Sequence, residues 1–208
     1  MEFQRKPDYD KIMESAQRRR INAIYHFTAV DRLPSIFKER AILPMSQREK
    51  RGVEVIRPST TWGTPQKASE FQEYVACGIV RPWGMMRDEP QPLAVFALNP
   101  RLLGQNGTLF TAKHTGWRDV TLDSIEAKQS VEDFDALFPN LDTSIPAPPH
   151  AEVLIKGIIP IDEIITVYFA DEDSNKQAKE LCNPVLLDDG RRPFEYFPFV
   201  AAPWIFGL

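Results

Sequence analysis

The chain has little of what builds a metal centre or a disulfide framework. It carries two cysteines, Cys77 and Cys182, and three histidines, His26, His114 and His150. The cysteines lie too far apart for metal-ligand spacing and are too few to staple a small fold. A reducing, cytoplasmic setting and no metal are therefore expected. There is no G-x-G-x-x-G and no Walker A pattern, which argues against a Rossmann or P-loop nucleotide site. The opening "MEFQRKPDYDK" lacks the apolar run of a secretory leader, so none is expected. No stretch reaches the ~20 apolar residues that a membrane helix needs. The C-terminal "FEYFPFVAAPWIFGL" is apolar but short, and Glu195, Pro198 and Pro203 interrupt it. That tail, residues 194–208, is expected to pack on the domain rather than on a membrane or partner, because long exposed apolar patches are uncommon. Repeats and low-complexity segments are also missing.

What is present suits one domain of 208 residues with a substantial core, since 43% of the residues are hydrophobic. The net charge of −4 conceals an asymmetry. Residues 1–87 carry 16 Lys and Arg against 10 Asp and Glu, whereas residues 121–208 carry 6 against 16. A basic half can bind anions despite an acidic pI; a solvated surface is the plainer explanation.

"DYDKIMESAQRRR" (8–20) reads as a helix with Asp8 or Asp10 as cap and arginines at its end. "INAIYHFT" (21–28) reads as a strand and "AVDRLPSIFKERA" (29–41) as a helix with Pro34 in its first turn. Residues 42–68 read as a long basic loop, and 71–80 as a short helix leading into a strand. A turn-rich insertion follows at 81–92. Strands are expected at 93–99, at "TLFTA", at "AEVLIKG" and at "ITVYFA", and helices at 131–139 and, capped by Ser174, at 174–182. Regular βαβ alternation is lacking, so the fold class is α+β with a mostly antiparallel sheet.

Three places could carry chemistry. In "AEVLIKG", Ala151, Val153 and Ile155 share one strand face and can pack on a core, which leaves Glu152, Leu154 and Lys156 on the other. A carboxylate held rigidly on a strand beside a cleft can stabilise a cation or act as a base; a surface ion pair is the plainer reading. In "YHFT", His26 and Thr28 share a face and offer polar groups to a ligand, although a structural histidine would look the same. Arg48, Arg51 and Arg57 in the basic loop can grip phosphates, and Trp62, Trp83, His114 and Trp117 can stack on bases. Solvated arginines and core tryptophans are the corresponding bland explanations.

In order, these pieces resemble a known family. "YHFTAVDRLPSIF" is similar to the opening motif of the DarT DNA ADP-ribosyltransferases, and "HAEVLIKGIIPIDEIITVYF" to their closing motif. Between them "EYVACGIVRPWGMM" and "LFTAKHTGW" resemble two intermediate segments, so the likeness spans roughly residues 21–170. The resemblance implies an ADP-ribosyltransferase fold, a split β-sheet core forming an NAD-binding cleft with helices around it. It implies a monomeric toxin that uses NAD⁺ as co-substrate, acts on a base in single-stranded DNA and is reversed by a DarG-type antitoxin. Glu152 falls on the family's catalytic glutamate, and His26 and Thr28 on its NAD⁺-contacting pair. Tyr74 falls near a tyrosine that packs on nicotinamide. Arg51 is the choice for the active-site arginine, with Arg48 and Arg57 as alternatives. "RPWGMM" and the loop 45–68 depart from the thymine-modifying branch, which favours guanine as the target base. Thymine, an RNA or protein acceptor, and a non-catalytic binding module are the alternatives.

Overall fold

The computed structural model describes residues 3–53, 69–80, 91–115, 119–140, 143–147 and 150–207. Two compact units are drawn from the chain. The first takes Met1–Ile24, Leu43–Val80 and Pro100–Ile158; the second takes Tyr25–Ile42, Arg81–Asn99 and Ile159–Leu208. In chain order the elements used below are α1 (Tyr9–Arg18), β1 (Ile24–Ala29), α2 (Leu33–Lys38), β2 (Ala41–Ile42), α3 (Met45–Lys50), β3 (Tyr74–Gly78), β4 (Leu93–Leu98) and β5 (Leu109–Thr111). They continue with α4 (Leu122–Ile125), α5 (Val131–Asp135), β6 (Glu152–Lys156), β7 (Ile159–Pro160), β8 (Ile164–Phe169), α6 (Glu172–Cys182), α7 (Pro193–Tyr196) and β9 (Phe199–Ala201). The α+β class and the mostly antiparallel sheet expected from the sequence are borne out.

In the first unit β6 lies between β5 and β3 and is antiparallel to both. Its central place explains a departure from the expected pattern. Residues 152–155 are all buried, on both faces of the strand. Leu154, assigned from alternation to the face away from the core, packs with Phe71, Leu109, Val120 and Ile125. A strand covered on both sides reads as a continuous apolar run, which makes the glutamate at its head the exception.

The thin apolar stripe of α1 buries Ile12 and Ala16, and polar contacts add to it. The Arg19 side chain, 1% exposed, donates to the Asn140 carbonyl at 2.6 Å and pairs with Asp135 at 3.0 Å. It also lies 4.2 Å over the Phe138 ring. Asp8 stands at the N-cap position of α1 but does not cap it. Its carboxylate accepts the Val131 N–H at 2.6 Å, at the start of α5. Two sequence expectations shift in this unit. Part of the supposed loop 42–68 is the helix α3, and the strand in 71–80 begins at Tyr74 after a helical step at 69–70 and a turn.

In the second unit the strand order is β1-β4-β8-β9, with β1 belonging to it from Tyr25 onward. β4 and β8 are antiparallel; β8 and β9 are parallel. The parallel pair follows from the crossover through α6, since parallel neighbours need a long connection. α6 is capped by Asp171, whose carboxylate accepts the Ser174 N–H at 2.7 Å; the expected cap, Ser174, lies inside the helix. The helix expected over 29–41 is a 3₁₀ turn, Val30–Arg32, followed by α2 with Pro34 in its first turn. β2 and β7 form a separate two-stranded ladder. Among the described residues no helix is long and apolar enough to cross a membrane.

Candidate active site

Glu152 opens β6 and is 3% exposed. On its two flanks the register places Thr111 of β5 and Gly78 of β3. Immediately after β5 the chain turns, because the Thr111 hydroxyl bonds the backbone of Lys113 as donor at 2.9 Å and as acceptor at 3.2 Å. Such local side-chain bonding builds a tight turn without help from a sheet or helix. Lys113 also pairs with Asp119. The turn delivers two neighbours to Glu152. The Thr115 N–H donates to Oε2 at 2.8 Å, and Nε2 of His114 lies 3.4 Å from Oε1.

Burial pushes the Glu152 carboxyl above the usual carboxylate range. The charge of the His114 ring and the Thr115 amide oppose that shift. Burial, and then the charge of Glu152, also drive the Cys77 thiol far upward on the next strand. A thiol held in that state is not a nucleophile. Glu152 is a carboxylate with a raised affinity for protons, fixed by a strand and a turn. Such a group can stabilise a neighbouring cation when ionised, or take a proton more readily than an exposed carboxylate does.

Tyr74 opens β3 opposite Lys156 and packs on the cluster around Phe71 and Leu154. It lies four ladder positions from Glu152, about 13 Å at the usual rise per residue. Arg48 is half-buried in α3, and Arg51 is exposed at its C-cap. In the second unit, His26 is half-buried and stacked on Phe96 at 6.4 Å with an 18° tilt, and Thr28 is buried two positions along β1. Arg57, Trp62, Trp83 and Trp117 lie outside the described residues.

Thr115 escaped the sequence reading. The threonine turn at Thr111 was its one local signal, and the pairing of β5 with β6 that carries it to Glu152 is not written in either segment. His114 was singled out as a base-stacking candidate; its place beside Glu152 depends on the same pairing.

No protein-family model matches the chain, and no curated protein matches it. Solved structures do. Thermosipho africanus DarTG in complex with ADP-ribose aligns over 90% of this chain with a TM-score of 0.59 and 15% identity. The chain spans about half the length of that protein, 51%. Thermus sp. 2.9 DarT in complex with ADP-ribosylated single-stranded DNA aligns over 90% of this chain and 97% of its own, with a TM-score of 0.58 and 13% identity. The same Thermus protein in complex with NAD⁺ aligns with a TM-score of 0.53 and 16% identity. The chain has the fold of these DarT structures.

Proposed function

We propose that this chain is an NAD⁺-dependent transferase that attaches ADP-ribose to a base of single-stranded DNA. The observation that carries the reading is Glu152, a carboxylate buried at the head of a central strand and held there by the Thr115 amide. Support comes from the fold, which is that of proteins solved with NAD⁺, ADP-ribose and ADP-ribosylated single-stranded DNA. A carboxylate of this kind fits the donor chemistry, because it accepts from ribose hydroxyls and faces the positive charge that grows on the sugar as nicotinamide leaves. Preorganised groups of that sort contribute ~10²–10³ in rate. Oε1, with the His114 ring nitrogen at 3.4 Å, has a second acceptor site that a ribose hydroxyl can use.

His26 and Thr28 are assigned to the ribose and nicotinamide end, and an arginine of the segment 48–57, with Arg51 preferred, to the pyrophosphate. The raised proton affinity of Glu152 suits a second task, accepting the proton from the attacking base nitrogen. A base must leave its stack to be modified, which favours single strands. Guanine is the preferred base. In the cell we place the protein in the cytoplasm as a toxin, reversed by a DarG-type antitoxin.

Mass spectrometry tests the reading. The protein and NAD⁺ are incubated with single-stranded oligonucleotides that each lack one base. An ADP-ribose adduct lost only without guanine is the expected result. Loss only without thymine overturns the base assignment. Adducts on RNA or protein but not on DNA overturn the acceptor, and no NAD⁺ consumption with any acceptor overturns the enzyme.

A further inference from the structure

The apolar segment 193–207 wraps the β8 edge of the second unit and packs on both faces of its sheet. α7 leads into β9, which pairs with β8, and the chain then closes with a 3₁₀ turn, Pro203–Ile205. On one face Phe197 stacks on Phe37 at 5.7 Å, Phe37 meets Phe96 edge-on at 6.3 Å, and Phe96 stacks beneath His26. On the other face Ala202 and Ile205 join Leu93 and Val95 in a buried cluster, against which Tyr25 and Phe27 of β1 pack. His26 lies between Tyr25 and Phe27 in sequence, and alternation sends it to the opposite face together with Thr28. The short strand that carries the two polar candidates is therefore backed on one face by the cluster that Ile205 joins, and on the other it is linked to Phe197 through two aromatic rings, Phe37 and Phe96. Ile205 is 0% exposed and Phe197 4%.

We propose that Ile205 and Phe197 are positioning residues for NAD⁺: they fix β1, and so the placement of His26 and Thr28 against the dinucleotide. The inference rests on the functional reading above, which gives His26 and Thr28 to NAD⁺. Close packing transmits sub-ångström shifts rather than absorbing them. Hydrogen bonds weaken steeply with distance and angle, so a small displacement of β1 costs more in ligand contact than in fold.

Calorimetric titration of the full chain with NAD⁺ separates positioning from plain destabilisation. Partial unfolding lowers the binding stoichiometry and leaves Kd for the folded fraction unchanged. Misplacement raises Kd and leaves the stoichiometry intact. Ile205→Ala is expected to raise Kd about tenfold at unchanged stoichiometry, the equivalent of one lost hydrogen bond. Ile205→Val should restore most of the affinity. Leu103→Ala, which empties an equally buried site in the first unit, should lower thermal stability with Kd unchanged. If Ile205→Ala does not fold, Phe197→Leu and Ile205→Val carry the test, each with a rise in Kd of roughly two- to threefold. An unchanged Kd in the folded variants, or an equal rise in Leu103→Ala, overturns the inference. Failure of the unaltered chain to bind NAD⁺ overturns the functional reading and the inference with it; binding by that chain leaves the variants to decide the inference alone.

Discussion

Replacing Glu152 with glutamine should make the protein more stable at neutral pH. The substitution keeps the shape and the acceptor for the Thr115 N–H and removes the charge. An ionised carboxylate has two oxygens with about four acceptor sites. The Thr115 amide reaches Glu152 at 2.8 Å, the His114 nitrogen lies 3.4 Å away, and Thr115 together with the charges of His114 and His150 favours the ionised form, yet burial outweighs them. A buried charge whose partners do not make up for its lost hydration costs on the scale of about 1–3 kcal/mol. Its pH dependence follows from the raised proton affinity in the folded state. The contribution of Glu152 to stability is fully present below the unfolded carboxyl range, near pH 4, and is lost as pH rises through the folded value. Wild type and Glu152→Gln should therefore melt together near pH 4 and separate above it, with the variant higher by ~2–4 °C for each kcal/mol gained. Thermal denaturation between pH 4 and 8 reads this directly. A variant that melts lower at pH 7.5, or a difference that does not change with pH, refutes the reasoning.

Other expectations concern the same frame. Thr115→Pro deletes the N–H that bonds Glu152; losing a hydrogen bond to a charge of about 1.5–3 kcal/mol should lower transfer ~10- to 100-fold and move the acidic limb of the pH–rate profile further upward. In the unaltered chain that limb should lie above the usual carboxylate range, because the ionised form is the active one and burial opposes it; a limb near pH 4 counts against Glu152 as the group. Arg19→Ala empties a buried site and takes the Arg19 donor from the Asn140 carbonyl, while Asp135, 30% exposed, keeps the Ser15 hydroxyl; a loss of about 1–3 kcal/mol should appear in chemical denaturation. Asp171→Ala removes the α6 cap and should cost about 1 kcal/mol by the same assay.

The strands were legible where local pattern suffices. "AEVLIKG" and "LAVFALN" announce themselves as apolar runs bounded by glycine or proline, and both are strands. The burial of Leu154 was not legible, because it depends on β6 lying between β5 and β3, neither of them adjacent in sequence. The cap of α6 was misread for a different reason. Asp171 and Ser174 are both good capping residues three positions apart, and only the extended backbone of Asp171 settles which begins the helix. The helix α3 is hidden in the sequence because "MSQREK" has no apolar stripe to reveal a helical period. Asp8 had the right residue type and position for a cap, yet a contact 123 residues away claimed its carboxylate. At the candidate site the pattern recurs. Glu152 stood out as a charge in an apolar run, whereas Thr115 is an ordinary turn residue until the sheet is assembled.

The most direct test of the central claim is transfer of radiolabelled ADP-ribose from NAD⁺ to single-stranded DNA by the unaltered chain and by Glu152→Gln, at pH 7.5 and matched folded protein. Labelled DNA with the unaltered chain, and a rate lower by ~10²-fold or more with the variant, is the expected result. Equal labelling by both proteins, or none by either, contradicts it.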